Sequence, residues 1–372
     1  MKKNKIVLGK ILGIPVALDH TWFLIFIIIT WALAVSYFPQ TNKNWSALEY
    51  WVVSGVTSIL FFISILIHEL GHSIVAMHYK IKVRSITLFI FGGIAEITRE
   101  PKKPHQEFWI AIAGPITSFL LAVIFQMLSI VFSNIPPIHA LLKYLALINF
   151  ILAIFNLVPG FPLDGGRILR SIVWYFTKDF QKSTNIAASV GRFFGFTFIL
   201  LGFFQIMSGD IGNGIWTIFI GWFLETAALS QILSQKIPRL LEGHTVYEAM
   251  TKSYGIVPDD LTLQELADDE ILSRARRFFI VREKGVLNGL LTIHAFKDVH
   301  KNQWANTKVV DLMIPFSKIK KADIDTPLTD ILKEMDEDGV NQLPVFDDGE
   351  LTGIISRDGI ITFISSLHDN KR

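Results

Sequence analysis

Six stretches of this chain are long and apolar enough to cross a bilayer, and they limit its fold more than any other feature. They cover roughly residues 21–38, 51–78, 107–132, 138–160, 186–207 and 212–233. About 20 mostly apolar residues in a helix cross a hydrocarbon core, so six transmembrane helices are predicted. The fourth stretch is interrupted near its end by Pro159 and Pro162, and the sixth carries Glu225. With 51% of the 372 residues hydrophobic and 18% charged, the lipid bilayer is the first solvent to consider. A net charge of +2 gives no footing for nucleic acid as a partner, and the lack of cysteine rules out disulfides, thiolate metal sites and a cysteine nucleophile. The start, MKKNKIVLGKILGIPV, is basic but has no small-residue cleavage site, so it leads into a retained span.

Lysines and arginines cluster on alternate connections: the start, the stretch after the second span, the stretch after the fourth and the exit near Lys236 and Arg239. The opposite connections hold only Lys43 and Lys143. The positive-inside rule then predicts a multi-pass protein of the cell membrane with both termini cytoplasmic.

The second span ends in LIHELGHSIV, which places His68, Glu69 and His72 behind a run without charge. Positions i and i+4 of a helix share a face, so His68 and His72 can offer two imidazole nitrogens to one metal ion. Glu69 can reach a water on that ion, the arrangement of a zinc site with a glutamate general base. Ionisable groups inside a span are costly and point to function. Catalytic zinc takes three protein ligands and keeps one open position, so one ligand has to come from elsewhere.

The fourth span closes with NLVPGFPLDGGRILR, where two prolines break the helix around Asp164. Unwound backbone at membrane depth is tolerated where it lines a cavity or is buried in protein. At 1.5 Å per residue His72 stands roughly 12 Å short of Lys80, and Asp164 stands a few residues short of Arg167 and Arg170. Similar depth in one leaflet makes Asp164 the expected third ligand. Between the second and third spans, VRSITLFIFGGIAEI (83–97) reads as a short hairpin turning at Gly92 and Gly93. Its free edge either accepts an extended segment by strand addition or merely caps the bundle. His20 and His78 read as interfacial residues, and Glu225 as either a gate or a paired carboxylate.

Past SQKIPR the composition turns charged and mixed, marking a soluble α/β unit over 240–372 after a membrane unit over 1–236. This tail repeats itself: TVYEAM (245–250) is echoed by KVVDLM (308–313), and GVLNGLLTI by GELTGIISR. Two copies of one small module are expected.

HELGH in one span and N-x-x-P-x-x-P-L-D-G-G in a later one, with FGGIAEI and AGPITS between, resemble the site-2 protease family of intramembrane zinc metalloproteases. The resemblance implies one catalytic Zn2+ held by His68, His72 and Asp164, Glu69 as catalytic base, and Asn156 holding or polarising the substrate. The implied substrates are membrane-associated or transmembrane regulatory proteins. The tail resembles a pair of cystathionine-β-synthase-type (CBS) domains, which in other proteins often bind adenine nucleotides, regulate, and associate as homodimers. The corresponding positions are Thr292, Ser356 and Asp358. The usual Ser/Thr-x-x-Asp pattern is broken, since Ala295 follows Thr292, Gly359 follows Ser356, and Asp358 comes one place early. A nucleotide site and a structural or dimerising module both stay open. Competing readings of the whole chain are a CBS-regulated membrane transporter and a metal-binding scaffold without turnover. Six spans without matched broken helices speak against the first, and Glu69 against the second.

Overall fold

The computed structural model describes residues 5–90, 92–268, 278–283 and 285–369; Lys2, Lys3 and part of the first tail repeat (269–277) lie outside these. The chain divides into two compact units, residues 1–234 and 235–372.

In the first unit, strands β1 (Lys5–Ile11) and β2 (Ile14–Asp19) lead into α1 (His20–Ala32), which runs through a π-helical turn into α2 (Phe38–Thr41). Then follow α3 (Ala47–His78), β3 (Val83–Phe89), β4 (Gly92–Ile97), α4 (Pro104–Val131), α5 (Pro136–Asn156), α6 (Asp164–Thr177), α7 (Phe180–Met207) and α8 (Ile211–Leu241). Six helices have the length and apolar character of spans: His20–Thr41, α3, α4, α5, α7 and the first part of α8, to Leu233. The protein is a multi-pass integral membrane protein. α6 is the exception, since 14 residues reach only about 21 Å, short of the hydrocarbon thickness.

Local chemistry sets where the helices begin. Ser46 and Glu49 form a reciprocal cap at the start of α3, with Ser46 N–H donating to Glu49 Oε2 at 2.6 Å and Glu49 N–H donating to Ser46 Oγ at 3.3 Å. Pro104 and Pro136 open α4 and α5, where a missing N–H does no harm. The predicted fourth stretch reached residue 160, but the helix stops at Asn156, and 157–163 turn the chain into α6.

α3 is the hub, packed against α1, α4 and α5. Its buried residues mix apolar side chains such as Phe62 and Ile65 with an unusual number of polar ones: Ser54, Thr57, Ser58, Ser64, His68 and His72. Thr30 donates to Ser58 Oγ at 2.9 Å and Asn149 Nδ2 to Ser64 Oγ at 3.3 Å, side-chain bonds that hold spans together without help from water. α7 and α8 meet on glycines, where a Cβ on Gly195 would lie 2.8 Å from the Gly221 carbonyl oxygen. Glu225 accepts from Arg192 Nε at 2.9 Å, so the carboxylate is paired.

The expected hairpin belongs to a larger sheet of order β1-β2-β3-β4, in which β2 and β3 pair in parallel and the outer pairs are antiparallel. Gly92 and Gly93 fall inside β4, opposite Phe89 and Leu88, so the turn precedes them. One sheet face, through Leu18 and Leu88, packs on Phe62 and Ile65 of α3.

The tail holds two similar halves. The first has α9 (Val246–Ala249), β5 (Gly255–Pro258), α10 (Leu263–Leu266), β6 (Phe278–Glu283) and β7 (Val286–Thr292), and the chain continues through α11 (Val309–Leu312) and β8 (Ile314–Pro315). The second has β9 (Ala322–Asp323), α12 (Leu328–Asp338), β10 (Gln342–Asp347), β11 (Glu350–Ser356) and α13 (Arg357–Asp369). Each half is completed by the segment that leads the other. Val246 N–H donates to Thr326 O at 3.0 Å, and Val246 and Ala249 lie in one core with Leu328, Ile331 and Val345. Val309 N–H donates to Leu261 O at 2.9 Å, and Val309 lies in the other core with Leu263, Phe279 and Leu291. The repeated glycines show why the motifs match: a Cβ on Gly353 would lie 2.9 Å from Met250 Sδ, and one on Gly289 2.8 Å from Met313 Sδ.

Interlocking of this kind should make the halves one cooperative unit. Leu263→Ala or Leu328→Ala should each cost about 2–5 kcal/mol, and hydrogen exchange of the full chain should show protection falling in both halves. Loss confined to the mutated half would refute the interlock as a source of cooperativity.

Candidate metal centre

One helical pitch brings His68 and His72 together on the inward face of α3, with their Nε2 atoms 3.2 Å apart. Both rings are buried, at 4% and 6% exposure. The other ring nitrogens are held by α4: His72 Nδ1 donates to the Ile110 carbonyl oxygen at 2.6 Å, and His68 Nδ1 lies 2.8 Å from Ser118 Oγ. A carbonyl can only accept, so His72 carries a proton on Nδ1, which leaves Nε2 as the ring atom available to a metal.

Two glycines make room. A Cβ on Gly114 would lie against His72 Nε2 and 2.6 Å from His68 Nε2, and one on Gly93 would lie 2.5 Å from Glu69 Cγ. The segments FGGIAEI and AGPITS therefore border the histidine motif in space. Gly71 does the same for helix packing, since a Cβ there would meet Thr117 of α4.

Asp164 comes from the first turn of α6. Its Oδ2 lies 3.2 Å from His68 Nε2 and 3.1 Å from His72 Nε2. The local sequence makes that approach possible, because α6 begins directly on the preceding turn: a Cβ on Gly165 would meet the Val158 and Leu157 carbonyl oxygens, and one on Gly166 would lie 2.7 Å from the Gly160 oxygen. Among the described residues, His68, His72 and Asp164 are grouped closely enough to hold one metal ion.

The donor set fits zinc. With Zn–N and Zn–O near 2.0–2.1 Å, tetrahedral ligands stand about 3.3–3.4 Å apart, close to the three separations here. Two imidazole nitrogens and a carboxylate oxygen facing one another are a donor set that suits a divalent cation such as zinc.

Residues 56–141 and 132–198 match Peptidase family M50, and residues 309–366 match the CBS domain. A zinc metalloprotease of Methanocaldococcus jannaschii is 30% identical over 360 residues, which span 97% of this chain and 96% of that protein. A Synechocystis protein named for a zinc metalloprotease is 35% identical over 366 residues, 96% of this chain and 95% of its own length. The chain belongs to peptidase family M50, the site-2 proteases. Among solved structures, the site-2 protease from Methanocaldococcus jannaschii is similar at 33% identity, covering 61% of this chain and 95% of that one with a TM-score of 0.44. Membership of the M50 family makes this an intramembrane zinc metalloprotease with an adjoining CBS region, and it removes the transporter and the inert scaffold as readings of the chain.

Other expected site residues lie apart from this cluster or face elsewhere. Asn156 is half-buried at the end of α5, its Nδ2 donating back to Leu152 O at 3.1 Å. His20 is exposed at the start of α1, and His78 is exposed at the end of α3 with its ring against Tyr79. In the tail, Thr292 and Ser356 end the corresponding strands β7 and β11; Ser356 Oγ accepts from Gly359 N–H at 3.0 Å, and Asp358 is exposed on α13. Sequence reasoning missed the Ile110 carbonyl, Gly114 and Ser118. It also counted Arg170 as an inward basic anchor, whereas this side chain is buried. The only available signal was AGPITS, which contains Gly114 and Ser118.

Gly114→Ala should leave the helices intact but push both imidazoles apart and weaken metal binding by at least about tenfold, as loss of an outer contact does in metal sites. Metal content measured per chain after purification, alongside far-UV circular dichroism, checks this. Full metal loading in the variant would show that the glycine is not needed for the site.

Proposed function

We propose that His68, His72 and Asp164 hold one zinc ion, that Glu69 is the general base, and that the chain cuts membrane-associated or transmembrane regulatory proteins under the influence of its tail. The observation that carries this reading is the convergence of His68 Nε2, His72 Nε2 and Asp164 Oδ2 within 3.2 Å of one another, from two separate stretches of chain. Bound zinc would polarise the scissile carbonyl and make a water more acidic. Glu69, half-buried beside the two histidines, takes the proton of the attacking water and passes it to the departing amide nitrogen. Ile110 and Ser118 hold the imidazoles in orientation.

Substrate must arrive extended, because a helical peptide bond is shielded by its own turn. β4 ends the sheet order, and its Gly93 packs on Glu69, so a strand added at that edge would pass the general base. Asn156, after turning from Leu152, is proposed to hold or polarise the substrate. The positive-inside pattern supports cytoplasmic termini and access to the metal from that side. The membrane protease unit is proposed to cover 1–236 and the regulatory CBS pair 240–372, with an adenine nucleotide bound near Thr292, Ser356 and Asp358 and self-association through the pair.

Glu69→Gln should keep its metal and lose cleavage of a single-pass substrate by about 10²–10⁴-fold, the usual worth of a positioned acid–base group. Equal cleavage by both proteins would exclude Glu69 as the base. For the tail, calorimetric titration of the full chain with ATP and with AMP should show saturable heat for one of them; silence with both would remove the nucleotide from the proposal.

A further inference from the structure

Two ionisable side chains are buried in the membrane unit where the chemistry above gives them no role. Glu107, in the first turn of α4, is fully buried, and Arg170, on α6, is 4% exposed. Arg170 Nε donates to Glu107 Oε1 at 2.7 Å, and its Nη2 reaches the same oxygen. Nη1 lies 3.4 Å from Thr184 Oγ1 of α7, and the guanidinium carbon sits 5.1 Å from the centre of the Phe161 ring and 4.6 Å from that of Phe180. One planar group therefore touches α4, the turn before α6, and the start of α7.

A buried ion pair is a poor device for stability alone, because the desolvation of both charges offsets their attraction and well-packed apolar side chains do as well. What a guanidinium supplies is a fixed, directional geometry. The two helices it joins are the ones that complete the metal centre. α4 carries Glu107 and, further along, Ile110, Gly114 and Ser118, which contact the imidazoles; α6 carries Arg170 and Asp164. Ile110 follows Glu107 by three residues, a neighbouring position on the helix. A small slide of α6 along α4 would carry the aspartate out of coordinating reach while leaving both histidines in place.

We propose that Glu107 and Arg170 are positioning residues that lock α6 to α4 and so hold Asp164 at ligand distance from His68 and His72. This rests on the ligand assignment of the preceding subsection. Phe161, with the guanidinium over its ring, extends the lock to the turn in which Asp164 is presented, and Phe180 extends it to the start of α7.

The test uses the full-length protein in detergent, with zinc affinity from chelator competition, the absorption spectrum of the cobalt-substituted form, and steady-state cleavage. The double variant Glu107→Leu/Arg170→Met removes both charges at once and should unfold at or above the wild-type temperature. Its zinc Kd should rise about tenfold, the cobalt spectrum should change, and kcat should fall with KM unchanged. Arg170→Lys keeps the charge and loses the fork, so it should move the same readouts in the same direction by less; it decides the matter if the double variant does not assemble. Wild-type zinc affinity, cobalt spectrum and kcat in either folded variant would overturn the proposal. Asp164→Ala in the same assay separates the two levels: if it loses zinc while the pair variants keep it, only the positioning role fails, and if it too keeps wild-type affinity, the ligand assignment fails.

Discussion

Three lone-pair donors aimed at one another inside an apolar bundle are an arrangement that a chain does not reach by packing alone. The two Nε2 atoms and the Asp164 oxygen stand 3.1–3.2 Å apart, a spacing that suits three ligands of one ion and that needs a cation or a proton between imidazole and carboxylate to be favourable. The surrounding structure has to hold them there before any metal arrives. Helical pitch supplies the histidine pair, the Ile110 carbonyl and Ser118 fix the ring orientations, and α6 delivers the carboxylate. Much of the membrane unit can be read as the scaffold for that convergence.

Glycine does much of this work by omission. At Gly71, Gly93, Gly114, Gly165 and Gly166 an added Cβ would meet a neighbouring side chain or carbonyl oxygen. These contacts set how near α4, β4 and the turn at 157–163 approach His68, His72, Glu69 and one another. In lipid, where apolar burial gives no drive between helices, close backbone approach is itself a source of cohesion. The spacing that stabilises the bundle and the spacing that forms the site thus come from the same missing atoms. The tail uses the device again, with Met250 over Gly353 and Met313 over Gly289.

The spans were legible because a bilayer imposes a minimum length and apolarity that no loop satisfies, and His68 and His72 were legible because helical spacing is local. Asp164 could be read from the prolines that interrupt its span. The first strands could not: Lys5–Asp19 is a short apolar run, and the parallel pairing of β2 with β3 joins segments far apart in sequence. α6 was hidden because Asp164-Gly165-Gly166 argues against a helix when read locally, and only its packing shows what those glycines serve. Arg170 looks like any basic residue near a membrane surface until Glu107, 63 positions away, is placed beside it. In the tail the repeat was visible, but a repeat reads the same whether each copy closes on itself or on its neighbour.

On the proposed reading, the sheet offers the metal centre a partner for substrate backbone as well as for side chains. A transmembrane segment that unwinds near the metal exposes N–H and C=O groups, each costing several kcal/mol if left unsatisfied in hydrocarbon. The outer edge of β4 carries the complementary groups, and the Gly93 contact keeps that strand close to Glu69. On the proposed reading, the energy that opens the substrate helix and the geometry that aims its peptide bond come from one element. The strand and the ion would then have to be held as a single rigid assembly, and the packing of α3 against both the sheet and α4 is what provides it.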